Sequence, residues 1–129
     1  DIVFANETES KAFTKLDNPE EALDEIAKLC KIAGVKMGKD GSWIKSGDEK
    51  HFIETYPAQT KDATGAGDTY AAGFLYAHSL GMPLEICGKA GSIIAAKVVE
   101  VVGTKIDIPR WKLAKQEIRD LFAANGKQI

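Results

Sequence analysis

Clusters of positive charge, long apolar runs and cysteines are all scarce in this sequence, and each scarcity narrows what the protein can do. No basic run with interleaved aromatic residues occurs, which argues against nucleic acid as a partner. The longest apolar stretches are interrupted by charge or glycine, so none approaches the length of a membrane span. The two cysteines, Cys30 and Cys87, fall within helical patterns and lack metal-ligand spacing. We interpret them as buried free thiols of a cytoplasmic protein.

The composition is that of a globular domain. The chain has 129 residues, of which 44% are hydrophobic and 28% charged, and this suffices for one domain with its own core. The 17 basic and 19 acidic residues leave a formal net charge of -2. A strand-like segment, Ile2 to Phe4, follows Asp1 directly, without an initiator methionine or a leader. We therefore expect the chain to be a piece of a longer polypeptide.

The first half of the chain combines short strands with helices. An apolar strand is predicted at residues 2–4, followed by a short helix at 7–14. Asn18, followed by Pro19 and Glu21, predicts the start of a second helix, and apolar residues at helical spacing carry it to Gly34. The period then changes to that of a meander, with strands at 35–37, 42–45 and 51–56 and a tight turn at 38–41.

The second half is helical. Helices are predicted at 66–80, at about 83–102, and from Pro109 to about Asn125. The order of strand, helices, meander and helices is typical of an α/β layered sheet. Trp43 and Trp111 are interpreted as packing residues. The acidic run around the second helix is interpreted as a solvated face; its members are Asp17, Glu20, Glu21, Asp24 and Glu25.

A run of small residues ahead of the third helix carries the plainest chemical signal. Gly65, Ala66 and Gly67 let a ligand approach the backbone closely, and the first N–H groups of a helix lack internal partners. With the positive end of the helix dipole, this turn is suited to bind phosphate. It is neither a P-loop nor a dinucleotide-binding turn, because the lysine and the glycine spacing of those motifs are missing.

Asp68 needs its own explanation, because a bound phosphate would repel a carboxylate. A base that accepts the proton of an attacking hydroxyl is one explanation. An acidic residue that only complements the helix dipole is the other, and the residues alone leave both open.

The sequence Asp62-Ala63-Thr64-Gly65-Ala66-Gly67-Asp68 resembles the signature of the PfkB/ribokinase family of carbohydrate and nucleoside kinases. Other parts of the chain are similar to family elements in the expected order. They are the helix after the signature at 69–75, Asn6–Glu9, the strand and Gly-x-x-Gly turn at 35–42, and the penultimate helix and loop at 90–103. The resemblance covers nearly the whole chain but only the C-terminal part of a family member.

The resemblance implies a three-layer αβα, ribokinase-like sheet. Residues 1–129 would form a single C-terminal nucleotide-binding and catalytic portion, without the N-terminal substrate half and lid. The resemblance implies that Asp68 is the catalytic base and that Gly65, Ala66 and Gly67 form the anion hole. It places Gly38, Gly41 and Ser92 beside the nucleotide, and Asn6 and Glu9 would act through water on Mg²⁺. Asp62 and Thr64, with carbonyls near Val101 and Gly103, would form a monovalent-cation (K⁺) site.

Each of these positions also has a purely structural interpretation. Asn6 and Glu9 suit a helix cap at a strand end, and the two glycines at 38 and 41 suit a simple hairpin turn. Ser92 suits close helix packing, and Asp62 suits a loop braced by backbone amides.

The function implied by the resemblance is ATP-dependent phosphoryl transfer to a hydroxyl of a sugar or nucleoside, with a slight similarity to adenosine-kinase-like members. The competing interpretations are a non-catalytic nucleotide- or anion-binding module and a packing domain whose glycines serve only geometry. The implied partners are ATP and a small sugar or nucleoside, without nucleic acid or membrane. A homodimer through the parent lid or through an exposed sheet surface is a further expectation.

Overall fold

A computed structural model describes residues 1–56, 66–98 and 108–125 of the chain. The chain divides into two compact units, Asp1–Thr55 and a second unit that begins at Tyr56. Among the described helices, none is both long and apolar enough to cross a membrane.

The first unit is a four-stranded mixed sheet with two helices. Its elements are β1 (Ile2–Asn6), α1 (Glu7–Thr14), α2 (Pro19–Ala27), β2 (Ile32–Lys36), a 3₁₀ turn (Gly38–Asp40), β3 (Ser42–Ser46) and β4 (Glu49–Ile53). The strand order is β1-β2-β3-β4. β1 and β2 are parallel, whereas β2 with β3 and β3 with β4 are antiparallel. The predicted α/β class is therefore confirmed, as is the short helix at 7–14.

Helix α2 begins where the sequence predicts and builds the core of this unit. The Asn18 side chain accepts hydrogen bonds from the backbone N–H groups of Glu20 and Glu21, and Pro19 fills the first turn. The buried face of α2 then packs against β2 and β3, and Ala5 of β1 joins the same apolar cluster. The resulting cluster contains Ala5, Leu23, Ile26, Ala33 and Val35, with Ala27, Cys30, Met37 and Trp43 around it.

The predicted C-terminal end of this helix is wrong. The helix ends at Ala27, and the residues up to Lys36 include strand β2, since Ile32 and Val35 pair with β1 and are β-branched. Gly34 is not a helix cap: it lies opposite Phe4, and a Cβ on it would be 2.6 Å from Phe4 Cδ1. Cys30 consequently lies outside the helix and is only half-buried.

The β-hairpin also differs from its predicted bounds. Ser46 pairs with Glu49, so β4 begins two residues before the predicted strand and the turn contains only Gly47 and Asp48. Trp43 and Phe52 pack edge to face across the hairpin, with ring centroids 5.1 Å apart. Trp43 is thus a packing residue, as expected.

The acidic run on α2 is not simply a solvated face. The Asp24 carboxylate lies 2.8 Å from Lys50 Nζ and 2.9 Å from Lys45 Nζ, and Glu20 Oε2 lies 3.0 Å from Lys50 Nζ. These hydrogen bonds, first that to Lys50 and then that to Lys45, lower the pKa of Asp24. The network therefore ties α2 to the β3–β4 hairpin.

The described part of the second unit consists of helices α3 (Ala66–Ser79), α4 (Leu84–Val98) and α5 (Ile108–Ala124). All three match predicted helices, although the predicted extension of α4 beyond residue 98 lies outside the described residues. Helices α3 and α4 approach each other through glycines. A Cβ on Gly73 would lie 2.8 Å from the Ala90 carbonyl oxygen, and one on Gly91 would lie 2.7 Å from that of Tyr70.

Helix α5 adds an apolar stripe of Ala114, Ile118 and Phe122, all buried. The Phe122 ring stacks on Tyr76 of α3 at 6.2 Å. Trp111, interpreted from the sequence as a packing residue, is 44% exposed. It lies in the first turns of α5, ahead of the buried stripe.

A partly buried ion pair joins α4 to α5. Lys97 Nζ donates to Glu117 Oε1 at 3.1 Å, and the Lys97 side chain is only 8% exposed.

Burial, and secondarily the Glu117 charge, raise the pKa of Tyr56. Cys87 is a buried free thiol, as expected, and burial raises its pKa to about 11.

Gly91→Ala is expected to lower the free energy of unfolding by about 1–3 kcal/mol, because the new methyl group would meet a backbone oxygen that cannot move without its helix. Urea unfolding followed by circular dichroism measures this change. Ala72→Leu adds a larger group on the exposed face of α3 and should change stability by less than about 0.5 kcal/mol. Equal effects of the two substitutions would contradict the close helix contact.

Glu117→Leu should destabilise the protein by about 2 kcal/mol or more, because it leaves the buried Lys97 ammonium without its counter-ion. The double variant Lys97→Met/Glu117→Leu removes both charges and should recover most of that loss. Urea unfolding of the wild type, the two single variants and the double variant gives the coupling energy. A double variant that is less stable than Glu117→Leu alone would show that the pair is not the source of the effect.

Candidate active site

The first turn of α3 holds the residues of the glycine-rich signature that the structure describes. Ala66 is the first residue of the helix, Gly67 follows half-buried, and Asp68 is exposed in the same turn. N–H groups in this turn lack intrahelical acceptors and can therefore receive an anion. Gly65, the third predicted anion-hole residue, and the predicted cation ligands Asp62 and Thr64 lie outside the described residues, as do Val101 and Gly103.

The packing residues of α3 and Asp68 lie on two different faces of the helix. Tyr70, Phe74 and Ala77 are buried. Asp68 lies four residues before Ala72 and seven before Leu75, and all three are exposed. The helix is therefore held by one face, while Asp68 is accessible on another.

Ser92 is buried in α4, directly after the glycine that contacts Tyr70. This position fits the interpretation of a small residue at a close helix contact. Its predicted place beside a nucleotide stays a prediction.

In the first unit, four predicted site residues follow the ends of two neighbouring strands. Asn6, the last residue of β1, is the register partner of Lys36, the last residue of β2. Glu9 follows Asn6 within α1, and the turn from Gly38 to Gly41 follows β2. The carboxyl ends of parallel strands are where open α/β sheets bind ligands. The structure therefore brings these residues to the edge at which a ligand is expected.

Asn6 and Glu9 form a capping box at the start of α1. Asn6 Oδ1 accepts from Glu9 N at 2.7 Å, and Glu9 Oε1 accepts from Asn6 N at 2.9 Å. The structural interpretation of this pair is thus confirmed, whereas its role toward Mg²⁺ stays a prediction. Within the described ranges no group of three or more His, Cys, Asp or Glu residues could hold a metal directly. The exposed pair nevertheless suits Mg²⁺, which keeps several waters and needs few carboxylates.

The two glycines of the 3₁₀ turn have different requirements. Gly38 has φ +57°, and a Cβ on it would have no atom within 4 Å, so its surroundings are open. Gly41 has φ +94°, and a Cβ there would lie 2.6 Å from the Ile53 carbonyl oxygen. The turn is closed by a hydrogen bond from Met37 N to the Gly41 oxygen at 2.8 Å. Gly41 is therefore required by the fold, while Gly38 leaves room for a ligand.

Lys36 lies at the same sheet edge, although no sequence motif marks it. It is half-buried at the end of β2, and its Nζ lies 6.0 Å from the Phe4 ring centroid. Its register opposite Asn6 places a positive charge at the edge that also holds Glu9. Only the strand pairing reveals this position.

The predicted site residues are thus divided between the two units. Asn6, Glu9, Gly38 and Gly41 belong to the first, and the α3 start and Ser92 belong to the second.

Comparison with known proteins identifies the family. A family model described as pfkB family carbohydrate kinase matches residues 1–111. A probable sugar kinase protein from Rhizobium etli CFN 42 is 41% identical, with a TM-score of 0.83, over 91% of this chain and 36% of that one. The adenosine kinase of Sinorhizobium meliloti is 36% identical, with a TM-score of 0.82 and the same coverage.

A third structure contains bound ligands. The ribokinase of Arabidopsis thaliana, solved with ribose and ATP, is 32% identical with a TM-score of 0.77, over 89% of this chain and 41% of that one. The chain therefore spans little more than a third of the length of these relatives. The similarities confirm the ribokinase-like α/β fold of a partial domain, and the chain belongs to the pfkB family of carbohydrate kinases.

Proposed function

We propose that this chain is the nucleotide-binding and catalytic portion of an ATP-dependent kinase that phosphorylates a hydroxyl group of a sugar or nucleoside. The observation that carries the proposal is the exposed Asp68 carboxylate in the first turn of α3, directly after a run of small residues. Phosphoryl transfer uses a base and an anion-binding backbone that lie close together, and this turn offers both.

The anion hole consists of the backbone N–H groups of Gly65, Ala66 and Gly67. These donors, together with the helix dipole, stabilise the negative charge on the transferring phosphoryl group. Small side chains permit the close approach that such hydrogen bonds need. The exposed face of α3 leaves Asp68 accessible to an acceptor hydroxyl.

The reaction proceeds by in-line displacement. The acceptor hydroxyl gives its proton to Asp68 while its oxygen forms a bond to the γ-phosphorus of ATP. The bond between that phosphorus and the β,γ-bridging oxygen breaks, and ADP leaves with both electrons of that bond. Asp68 later releases its proton to solvent.

The nucleotide and its ions contact further residues in this proposal. Gly38 and Gly41 let the turn pass close to ATP, and Ser92 lies beside the nucleotide. Asn6 and Glu9 would hold Mg²⁺ through water, and Mg²⁺, when bound, would neutralise phosphate charge. Asp62 and Thr64 would hold a monovalent cation such as K⁺. The ATP and ribose bound to the Arabidopsis ribokinase support the substrate class.

This chain matches only part of the length of its relatives, so it can supply only part of a kinase's functional residues. We propose that residues 1–129 correspond to the C-terminal part of the kinase, in the cytoplasm, and that the N-terminal substrate half and lid lie outside it. The identity of the acceptor would then depend on residues beyond this chain. A non-catalytic nucleotide-binding module remains the second candidate, because the chain covers only 36% of the adenosine kinase.

Asp68→Asn should reduce turnover by at least about 100-fold while leaving ATP binding unchanged, because only the proton acceptor is lost. Turnover is measured with a panel of sugars and nucleosides, on a chimera in which residues 1–111 replace the matching part of the Sinorhizobium meliloti adenosine kinase. Titration calorimetry with ATP and Mg²⁺ on the 129-residue chain measures binding.

Asp48→Asn is the matched control, since Asp48 is an exposed acid in the two-residue β-turn. It should leave both quantities unchanged. Full turnover of the Asp68→Asn chimera would refute the assignment of the base. ATP binding by the chain, together with an inactive wild-type chimera, would favour the binding module.

Glu9→Gln separates the two roles of the capping box. Glutamine can still accept from the Asn6 N–H, so the free energy of unfolding should change by less than about 0.5 kcal/mol. The loss of the carboxylate should raise the Mg²⁺ concentration needed for half-maximal turnover of the chimera several-fold. Glu7→Gln, in the same helical turn, should not. An unchanged Mg²⁺ requirement in Glu9→Gln would leave Glu9 with its capping role alone.

A further inference from the structure

Helix α5 carries a row of basic side chains on its exposed surface. Lys112, Lys115 and Arg119 are spaced by three and four residues, so they lie on one face of the helix. All three are exposed, and the buried apolar stripe of α5 lies on another side. We call these three residues the basic stripe; it extends for about 10 Å along the helix axis.

The basic stripe lacks counter-ions within the described ranges. Among those residues, no hydrogen bond or ion pair involves any of its three side chains. The acidic residues of α5 are engaged elsewhere, because Glu117 binds Lys97 and Asp120 accepts from Gln116 at 2.8 Å. Six lysines in other parts of the described chain, in contrast, pair with a carboxylate: Lys11, Lys28, Lys45, Lys50, Lys89 and Lys97.

This placement of charge does not serve the stability of the helix. Like charges three or four residues apart repel each other, and the basic stripe contains two such pairs. Within α5, which the structure describes in full, the first turn has no acidic residue and the last turn no basic one, so neither end compensates the helix dipole. Helix α1 shows the favourable arrangement, with Glu7 and Glu9 in its first turn and Lys11 in its last. The charges of α5 therefore suit something outside the helix.

Two further observations concern the same surface. Trp111 is 44% exposed and lies four residues before Lys115, so the two are neighbours on the helix surface. Tryptophan is enriched at protein interfaces. The family model ends at residue 111, so the basic stripe lies outside the residues that it matches. The stripe is thus a feature of this chain and not of the matched pfkB region.

We propose that the basic stripe, with Trp111 beside it, binds an acidic helical segment of another protein. Carboxylates three and four residues apart on a helix have the same spacing as the three cations, and they remove the repulsion within the stripe. The tryptophan ring packs against the apolar stems of the bound side chains. This inference goes beyond the proposed function, because it concerns a protein partner and not the role of Asp68.

Charge argues against two other occupants. A nucleic acid duplex binds through many phosphate contacts, whereas the stripe offers three cations in a chain of net charge -2. A second copy of the chain would have to offer the acidic run of α2. In that run Glu20 and Asp24 already bind Lys50, and Glu25 binds Lys28. Its carboxylates are therefore mostly engaged.

The test uses the 129-residue chain and a fluorescently labelled helical peptide with glutamates spaced by three and four residues. The same peptide with glutamines at those positions is the control, and fluorescence anisotropy measures binding. We expect the glutamate peptide to bind at least about tenfold more tightly in about 50 mM salt. The difference should shrink as the salt rises to about 300 mM, because salt screens exposed charges.

Lys115→Glu separates binding from folding, because it should move the two in opposite directions. It should weaken peptide binding at least about tenfold. Its new pair with Arg119 and the loss of repulsion should raise the melting temperature by about 1–4 °C. A purely structural role of Lys115 would lower the melting temperature instead.

Lys31→Glu is the matched control, since it makes the same change of charge at an exposed position of the first unit. It should change peptide binding by less than about twofold. Lys112→Gln/Arg119→Gln removes two charges without adding a new one, and should weaken binding at least about tenfold. Asp68→Asn should bind the peptide like the wild type, so that this surface is judged apart from catalysis.

Four results would overturn the inference. The first is equal binding of the glutamate and glutamine peptides, and the second is equal weakening by Lys115→Glu and Lys31→Glu. The third is tighter binding of a short DNA duplex than of the glutamate peptide. The fourth is a homodimer of the chain that Lys115→Glu breaks. Should Lys115→Glu lower the melting temperature, the double glutamine variant decides, and undiminished binding by it would equally overturn the inference.

Discussion

Backbone pairing between the parallel strands β1 and β2 is the constraint on which the first unit depends. Because the strands run in the same direction, their carboxyl ends meet at one sheet edge, where Asn6 lies opposite Lys36. Parallel pairing needs a crossover, and α1 and α2 supply it. Packing of Leu23 and Ile26 against the sheet stabilises this arrangement. The candidate ligand-binding residues at this end of the sheet are therefore placed mainly by strand pairing and by the packing of α2, and the side chains of Asn6 and Glu9 add the cap of α1.

In the second unit, which the structure describes as helices, the residues that pack the fold are likewise separate from the candidate site residue Asp68. Its packing face uses Tyr70, Phe74 and the glycine contact with α4, whereas Asp68 lies on the exposed side. The role of base proposed for Asp68 requires access to a substrate, whereas a residue that stabilises the fold requires burial. One helix satisfies both needs because residues recur on the same face about every 3.6 positions, which leaves other positions on the opposite face.

Much of this fold could be predicted from local sequence signals. The Asn18 cap, the meander and the three later helices depend on neighbouring residues, and each was found near its predicted place. The end of α2 could not be predicted, because Ala33 and Gly34 continue a helical spacing. Their strand conformation depends on pairing with β1, a contact distant in the sequence.

For the candidate site, too, the sequence predicts contiguous residues and misses those that only distant pairing brings together. The signature before α3 is contiguous and could be recognised directly, whereas Lys36 joins the site edge only through strand register. The acidic run on α2 was interpreted as solvated for a related reason. Its lysine partners Lys45 and Lys50 lie more than twenty residues away, on strands whose position no local pattern gives.

The crossing of α3 and α4 has a consequence for how the site responds to temperature. Gly73 and Gly91 bring backbone against backbone, so the separation of the two helices there does not depend on any side-chain rotamer. Warming increases rotamer exchange first, since side chains move over lower barriers than packed helices do. A helix seated in this way keeps its axis while neighbouring side chains become more mobile. The position of α3 on α4 therefore depends on a backbone contact, and not on side chains that exchange rotamers on heating.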